Sequence, residues 1–301
     1  MNIHDLNDLE GNNNNDSNNG NIQNSQLFLS ETNPNDSEQF QFRDRYFPKQ
    51  IYKIKSASFF LIFILAITYI IQIILYYNIY KPKGYNWGCL LFNFGASEIS
   101  SVANHYNYFR IITSILAHNN FGHLLLDILS IAFIGCYIEY ELKNIYNFFF
   151  LFLISGIIGT FSSLLFSYRN ISMGSSGAIL GLCGYYILNF IFNFNRMNNN
   201  KNYCVIILFA LIFINLFIGV YEGTNDVDVH SHLGGFLGGL TFSFILIYRS
   251  QMYSIFSNKY MKLLFYLCIL FLIIIPILSL ISINISEVPD NCEFICLTQN
   301  I

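Results

Sequence analysis

Seven long apolar runs leave this chain little choice of fold. They cover approximately 56–80, 122–142, 145–166, 176–194, 203–221, 230–249 and 261–284. Each is close to the roughly 20 residues a helix needs to cross the hydrocarbon core of a bilayer. Backbone N–H and C=O groups in that core find no water, so a single-segment span must be a helix. Composition agrees: 54% of the 301 residues are hydrophobic and 11% charged, against about 25% charged in soluble domains. The expected fold class is all-α, a polytopic membrane protein. A formal net charge of −3 gives no reason to expect a nucleic-acid partner.

The polar sequence lies mostly ahead of the first run. Residues 1–55 are expected to form an Asn-rich, disordered tail that ends in a basic cluster of Arg43, Arg45, Lys49, Lys53 and Lys55. Such a composition buries too little apolar surface to offset ordering entropy. It has neither the basic and apolar regions of a secretory signal nor the Arg-rich amphipathic character of a mitochondrial presequence. With the N-terminus in the cytosol, 11 Lys and Arg residues fall on the cytosolic side and 4 on the other, so the positive-inside rule favours that orientation. Seven spans then put the C-terminus outside. Three cysteines, Cys89, Cys292 and Cys296, share that non-cytosolic side, where disulfides form; their pairing is left open. The first loop, about 81–117, is long and aromatic, with Tyr85, Trp87, Tyr106 and Tyr108 suited to the membrane interface.

Polar residues inside the runs carry the chemistry. A charged group at the centre of a membrane helix costs about 2.5–3.5 kcal/mol on insertion scales. Gly174-Ser175-Ser176-Gly177 opens the fourth run, and His232-Leu233-Gly234-Gly235 lies at the start of the sixth. His123 and Asp127 stand in the first two turns of the second. These three runs enter from the same side, so at 1.5 Å rise per residue all four side chains lie at a similar depth. Gly177 and Gly181, and Gly235 and Gly239, form GxxxG stripes that let two helix backbones approach closely. Packing along them brings Ser176 toward His232. Taken alone, Ser176 reads as a helix-packing serine and His232 as a satisfied interhelical histidine; the shared depth and the paired stripes argue for a nucleophile and its base.

These motifs resemble those of the rhomboid family of intramembrane serine proteases. Gly174-Ser175-Ser176-Gly177 is similar to its GxSG, and His232-Leu233-Gly234-Gly235 to its sixth-helix histidine motif. Arg110, Thr113, Ser114, His118 and His123 fall on its Arg-x-x-Thr-Ser and His-x4-His stretches, and Glu139 on its acidic residue at the far end of the second helix. The resemblance covers about 56–250. It implies a six-helix rhomboid-like catalytic core there, followed by a linker, a seventh helix and a short tail over 251–301, the secretase-type arrangement.

The resemblance also implies a Ser176–His232 dyad. The Ser176 N–H and the His123 side chain would serve as oxyanion donors, and Gly174 and Gly177 would let the backbone approach the substrate. Arg110, His118, Glu139, Gly235 and Gly239 would be structural. The implied partners are the lipid bilayer and single-pass membrane proteins, cut within their transmembrane segments. No cofactor and no metal are expected: His118, His123, His230 and His232 lack an HExxH spacing or a carboxylate partner. Oligomeric state is not legible. A rhomboid-like pseudoprotease that binds client helices is the alternative.

Three positions depart from the family pattern. Asp127 stands where an asparagine usually donates to the oxyanion; it is expected to donate through a protonated carboxyl. Phe109 replaces a tryptophan before Arg110. Leu180 replaces a tyrosine that stacks on the catalytic histidine, a platform for which Tyr185 or a residue of the fifth loop is the substitute. Plainer readings cover the rest. His118 is expected to cap or orient the first loop, His230 to be solvated, and Glu222, Asp226 and Asp228 to make the fifth loop acidic and mobile.

Overall fold

The computed structural model describes residues 56–166, 171–193, 228–250, 259–285 and Cys296, all within one compact unit, Tyr46–Ile301. Among them five helices are long and apolar enough to cross a membrane: Ala57–Lys83, Phe121–Leu142, Ile145–Phe166, Val229–Arg249 and Lys259–Asn284. A shorter apolar helix spans Ser176–Phe192. The described residues hold no strand, only an isolated bridge between Ser97 and Ser172. The protein is a polytopic all-α membrane protein. Six of the seven expected spans appear within about a turn of their expected limits; the fifth, 203–221, lies outside the described residues.

The first span is α1 (Ala57–Leu75), prolonged by a π turn and a 3-10 turn to Lys83. Its start is doubly capped. Ser56 accepts from the Phe59 N–H. The Glu139 carboxylate accepts from the Ala57 and Ser58 N–H groups at 2.8 and 3.0 Å, and from the Ser58 hydroxyl at 2.8 Å. Leaving such buried donors without acceptors costs about 1–3 kcal/mol each. Glu139 therefore ties the far end of the second span to the start of the first.

The first loop is more ordered than its composition indicated. It folds into α2 (Trp87–Phe94), α3 (Ile99–His105) and α4 (Arg110–Thr113). Asn86 and Glu98 cap the first two, accepting from Cys89 and Ser101 N–H groups. Arg110 is buried and donates to the carbonyls of Phe92 and Ala96, with its guanidinium 4.2 Å from the Phe92 ring centroid. It thus holds the C-terminal end of α2 against α4. Trp87 packs edge-on against Tyr69 and Tyr76 of the first span. A disulfide joins Cys89 to Cys296, a pairing that the sequence left open.

The second span runs as α5 (Phe121–Ser130), a π turn (Ile131–Gly135) and α6 (Cys136–Leu142). Then come α7 (Ile145–Phe166), α8 (Ser176–Asn193), α9 (Val229–Ser250) and α10 (Lys259–Ile285). Helices α7, α8 and α9 pack mutually at the centre, and α10 lies against α7 and α9. Helix α10 carries Pro276 and turns Leu263, Leu267, Leu270, Ile274, Ile277 and Ile281 outward. In a bilayer that face meets lipid, so its exposure is the expected state.

Candidate functional site

The site forms where three helix starts converge. Glycine seams set the spacing. A Cβ on Gly235 would lie 2.2 Å from the Gly177 carbonyl oxygen, and one on Gly239 would lie 2.2 Å from the Gly181 Cα. These obstacles are backbone, so α8 and α9 approach as closely as two helices can. The neighbouring pair faces elsewhere: Gly234 meets Ser162 and Gly238 meets Ile158, both on α7. Helix α9 therefore presents one glycine stripe to each inner partner. Because α8 and α9 touch from their first turns, Ser176 and His232 meet: Ser176 Oγ lies 2.7 Å from His232 Nε2. Both residues are buried, at 6% and 9% exposure.

The two serines of the Gly-Ser-Ser-Gly turn are separated by their partners. Ser176 faces His232, whereas the Ser175 hydroxyl donates to Asp127 Oδ2 at 2.5 Å. The Ser175 N–H donates to the same oxygen at 3.1 Å, and His118 Nε2 lies 3.1 Å from it. Asp127 is fully buried. Two Ser175 donors and one His118 nitrogen thus meet at Oδ2, while Oδ1 is buried without a partner. Through Oδ2 the side chain holds the turn ahead of Ser176.

His118 is likewise more than a loop cap. It is completely buried, its Nδ1 lies 3.2 Å from the Leu116 carbonyl, and its other nitrogen meets Asp127. It links the end of the first loop to the Ser175 turn. The Gly174 N–H donates to the Ser114 carbonyl at 2.9 Å, and Ser97 and Ser172 exchange two backbone bonds. The segment leading into α8 is thus fastened to the first loop at both ends, and Thr113 fixes that loop by donating to the Gly95 carbonyl at 2.8 Å.

Gly174 has a φ of +108°, and a Cβ there would lie 2.6 Å from Cε1 of the His123 ring. A side chain at this position would meet the His123 imidazole. Asn120 caps α5 through the His123 N–H at 2.8 Å. The His123 side chain is 26% exposed, with Nε2 4.0 Å from Asp127 Oδ2. It is the most open of the polar side chains gathered here.

Asp228 overturns another expectation. It is 9% exposed and caps α9, accepting from the Ser231 N–H at 3.0 Å. An Asp immediately before an apolar periodic run is a helix-start signal, and here that signal outweighs the acidic neighbours. Glu222 and Asp226 lie outside the described residues. His230 lies in the first turn of α9, exposed, with its ring 5.7 Å from that of Phe166. Tyr185 does not replace the missing platform: it is packed in the core more than two turns beyond Ser176. Among the described residues no aromatic ring stacks on His232.

A buried serine hydroxyl hydrogen-bonded to an imidazole at the mouths of two membrane helices defines a polytopic protein with a serine–histidine site in the bilayer. Residues 105–249 match the Rhomboid domain family, a stretch that contains His118, His123, Asp127, Ser176, Asp228 and His232. RHOMBOID-like protein 1 of Arabidopsis thaliana is 34% identical over 165 residues, covering 55% of this chain and 41% of that protein. RHOMBOID-like protein 2 of the same plant is 34% identical over 157 residues, 52% and 48% of the two chains. Inactive RHOMBOID-like protein 8 is 28% identical over 159 residues, 52% and 44%. Each alignment thus spans less than half of the relative's own length. Over residues 105–249, just under half of its length, the chain is similar to the Rhomboid domain family.

Proposed function

We propose that this protein is an intramembrane serine endopeptidase that cuts the transmembrane segments of single-pass membrane proteins. The observation that carries this reading is the 2.7 Å contact between Ser176 Oγ and His232 Nε2. With the proton of the neutral imidazole on Nδ1, Nε2 accepts from the Ser176 hydroxyl. It takes that proton as Oγ attacks the scissile carbonyl, then delivers it to the leaving amine as the acyl-enzyme forms. Water, giving its proton to the same nitrogen, releases the acid and restores Ser176. The developing oxyanion needs donors. The first N–H groups of α8 have no helical carbonyl partners, and the partly exposed His123 ring stands beside the turn. Helical substrate must unwind before attack, because a helical carbonyl is already hydrogen-bonded and shielded.

The chain is read as 1–55 tail, 56–250 catalytic core, and 251–301 linker, seventh helix and tail. The N-terminus is assigned to the cytosol and the C-terminus to the lumenal or extracellular side, in a membrane of the secretory pathway or the cell surface. The Cys89–Cys296 bond supports this, since it requires both cysteines on one side and favours an oxidising compartment. Lateral entry beside the fifth span and fifth loop belongs to the same reading but lies outside the described residues.

A pseudoprotease that only binds client helices is the second reading, favoured by the relative named inactive and by Asp127 acting as an acceptor. Reconstitution with a single-pass substrate separates the two. Cleavage by the native protein, lost in both Ser176→Ala and His232→Ala, supports the protease. Substrate retained but uncut by all three supports the pseudoprotease.

A further inference from the structure

His232 reaches Ser176 through Nε2, which leaves its second ring nitrogen to be accounted for. Nδ1 is buried and has no hydrogen-bond partner. For Nε2 to accept the serine proton, Nδ1 must carry one, so this is a buried donor lacking an acceptor. One turn earlier on the same helix, Asp228 presents the complement. Its Oδ1 caps α9 through the Ser231 N–H, while its Oδ2 is buried and also without a partner. The backbone ties the two residues at i and i+4, with the His232 N–H donating to the Asp228 carbonyl at 3.1 Å, so both side chains leave the same face of α9. A donor without an acceptor and an acceptor without a donor thus lie one turn apart in a buried site, each the complement of the other.

We propose that Asp228 is a positioning residue for His232, its Oδ2 accepting the Nδ1 proton directly or through one water during turnover. This rests on the protease reading above. It extends the dyad to a triad: Asp228 selects the tautomer that leaves Nε2 free to take the Ser176 proton, and its negative charge stabilises the imidazolium that results. No proton moves to Asp228. The two orphan atoms are not bonded to each other in this structure; approach of substrate or water to Ser176 is when the contact closes. The charged and titratable groups that face the imidazole are Asp228 at the start of α9 and His123 and Asp127 on α5.

The test uses the full chain in lipid nanodiscs with 15N-labelled histidine, comparing the native protein with Asp228→Asn and Asp228→Ser. Both replacements retain an N-cap acceptor for Ser231, so α9 and the melting temperature are expected to stay unchanged. Asp127 and His123 remain in place, so any difference belongs to Asp228. Native His232 is expected to carry its neutral proton on Nδ1, and the Ser variant to show a mixture of tautomers. The acid limb of Ser176 labelling by a fluorophosphonate moves about one pH unit lower in both variants. Turnover of a single-pass substrate falls about 10- to 100-fold with KM little changed.

A His232 tautomer and titration identical in all three proteins would overturn the proposal, leaving Asp228 as a helix cap. The failures are distinguishable. If the native protein cuts and the Asp228 variants match it in rate and pH profile, this inference falls and the protease stands. If the native protein never cuts yet His232 still responds to Asp228, the protease reading falls and the positioning contact stands.

Discussion

The two residues that meet at the site are held in opposite ways. On the Ser176 side nearly every polar group ahead of the helix is engaged: Ser175 by Asp127, Asp127 by His118, and Gly174 by Ser114. On the His232 side two buried polar atoms, His232 Nδ1 and Asp228 Oδ2, have no partner; on the Ser176 side Asp127 Oδ1 is left in the same state. A nucleophile must sit still, since attack tolerates little misplacement. A base must change its protonation state twice per turnover, and a fully tethered imidazole would resist that. The difference teaches that the nucleophile is fixed through the turn ahead of it, while the base keeps one ring nitrogen unbonded.

The most severe way to break this arrangement is to separate α8 from α9. Gly239→Val forces a branched side chain into the Gly181 backbone, where a Cβ alone would lie 2.2 Å from the Cα. Neither helix can yield without unseating the seam that joins Ser176 to His232. We expect a loss of at least about 3 kcal/mol of stability, the upper end for overpacking, together with loss of all cleavage. Thermal unfolding in detergent and a cleavage assay read the two effects. A folded, active Gly239→Val protein would show that the seam does not set the site.

Removing the tether on the nucleophile side comes next. Asp127→Ala leaves the Ser175 N–H and hydroxyl and one His118 nitrogen without their common acceptor. Each orphaned buried donor costs about 1–3 kcal/mol, although the cavity admits water and lowers the sum. We expect a fall in melting temperature and about a 100-fold drop in turnover, the size associated with a misplaced reacting group. Gly174→Ala acts on the same turn more gently. Its φ of +108° and the His123 ring at 2.6 Å predict about 1–3 kcal/mol of backbone strain and displacement of the ring. Activity should fall by more than stability does, and a 13C-labelled His123 ring should report the shift.

The layout of the site is readable in the sequence because the cost of polarity in a membrane leaves few candidates. Ser176, His232, His123 and Asp127 stand out in apolar runs, and the glycine stripes indicate which helices must touch. Glu139 stands out for the same reason, though what it accepts from, the start of α1, lies more than eighty residues away and no local pattern reveals it. Local patterns mislead in two cases. Asp228 looks like part of an acidic loop because its neighbours Glu222 and Asp226 are acidic, yet its position just before α9 is a capping position. His118 reads as a loop residue because it precedes α5, whereas its side chain is wholly buried against Asp127. The short helices of the first loop escape such a reading because α2, α3 and α4 are held by Arg110, Thr113 and packing against α1 rather than by long apolar periodicity.

The gentlest change sharpens the comparison most. The Ser175 N–H, the Ser175 hydroxyl and one His118 nitrogen converge on one oxygen of Asp127, Oδ2, and the other, Oδ1, is buried without a partner. Asparagine has the same shape and keeps one carbonyl oxygen. In Asp127→Asn that oxygen takes the place of Oδ2 and retains both Ser175 bonds, while the amide nitrogen takes the unpartnered place of Oδ1. The change removes the charge and preserves the tether. If the tether is what matters, Asp127→Asn keeps stability within about 1 kcal/mol of the native protein and restores most of the turnover that Asp127→Ala loses. If the charge of Asp127 itself supports catalysis, the two variants fall together. Measured side by side for rate and melting temperature, they decide whether the nucleophile side works by geometry alone, leaving charge to the His232 side.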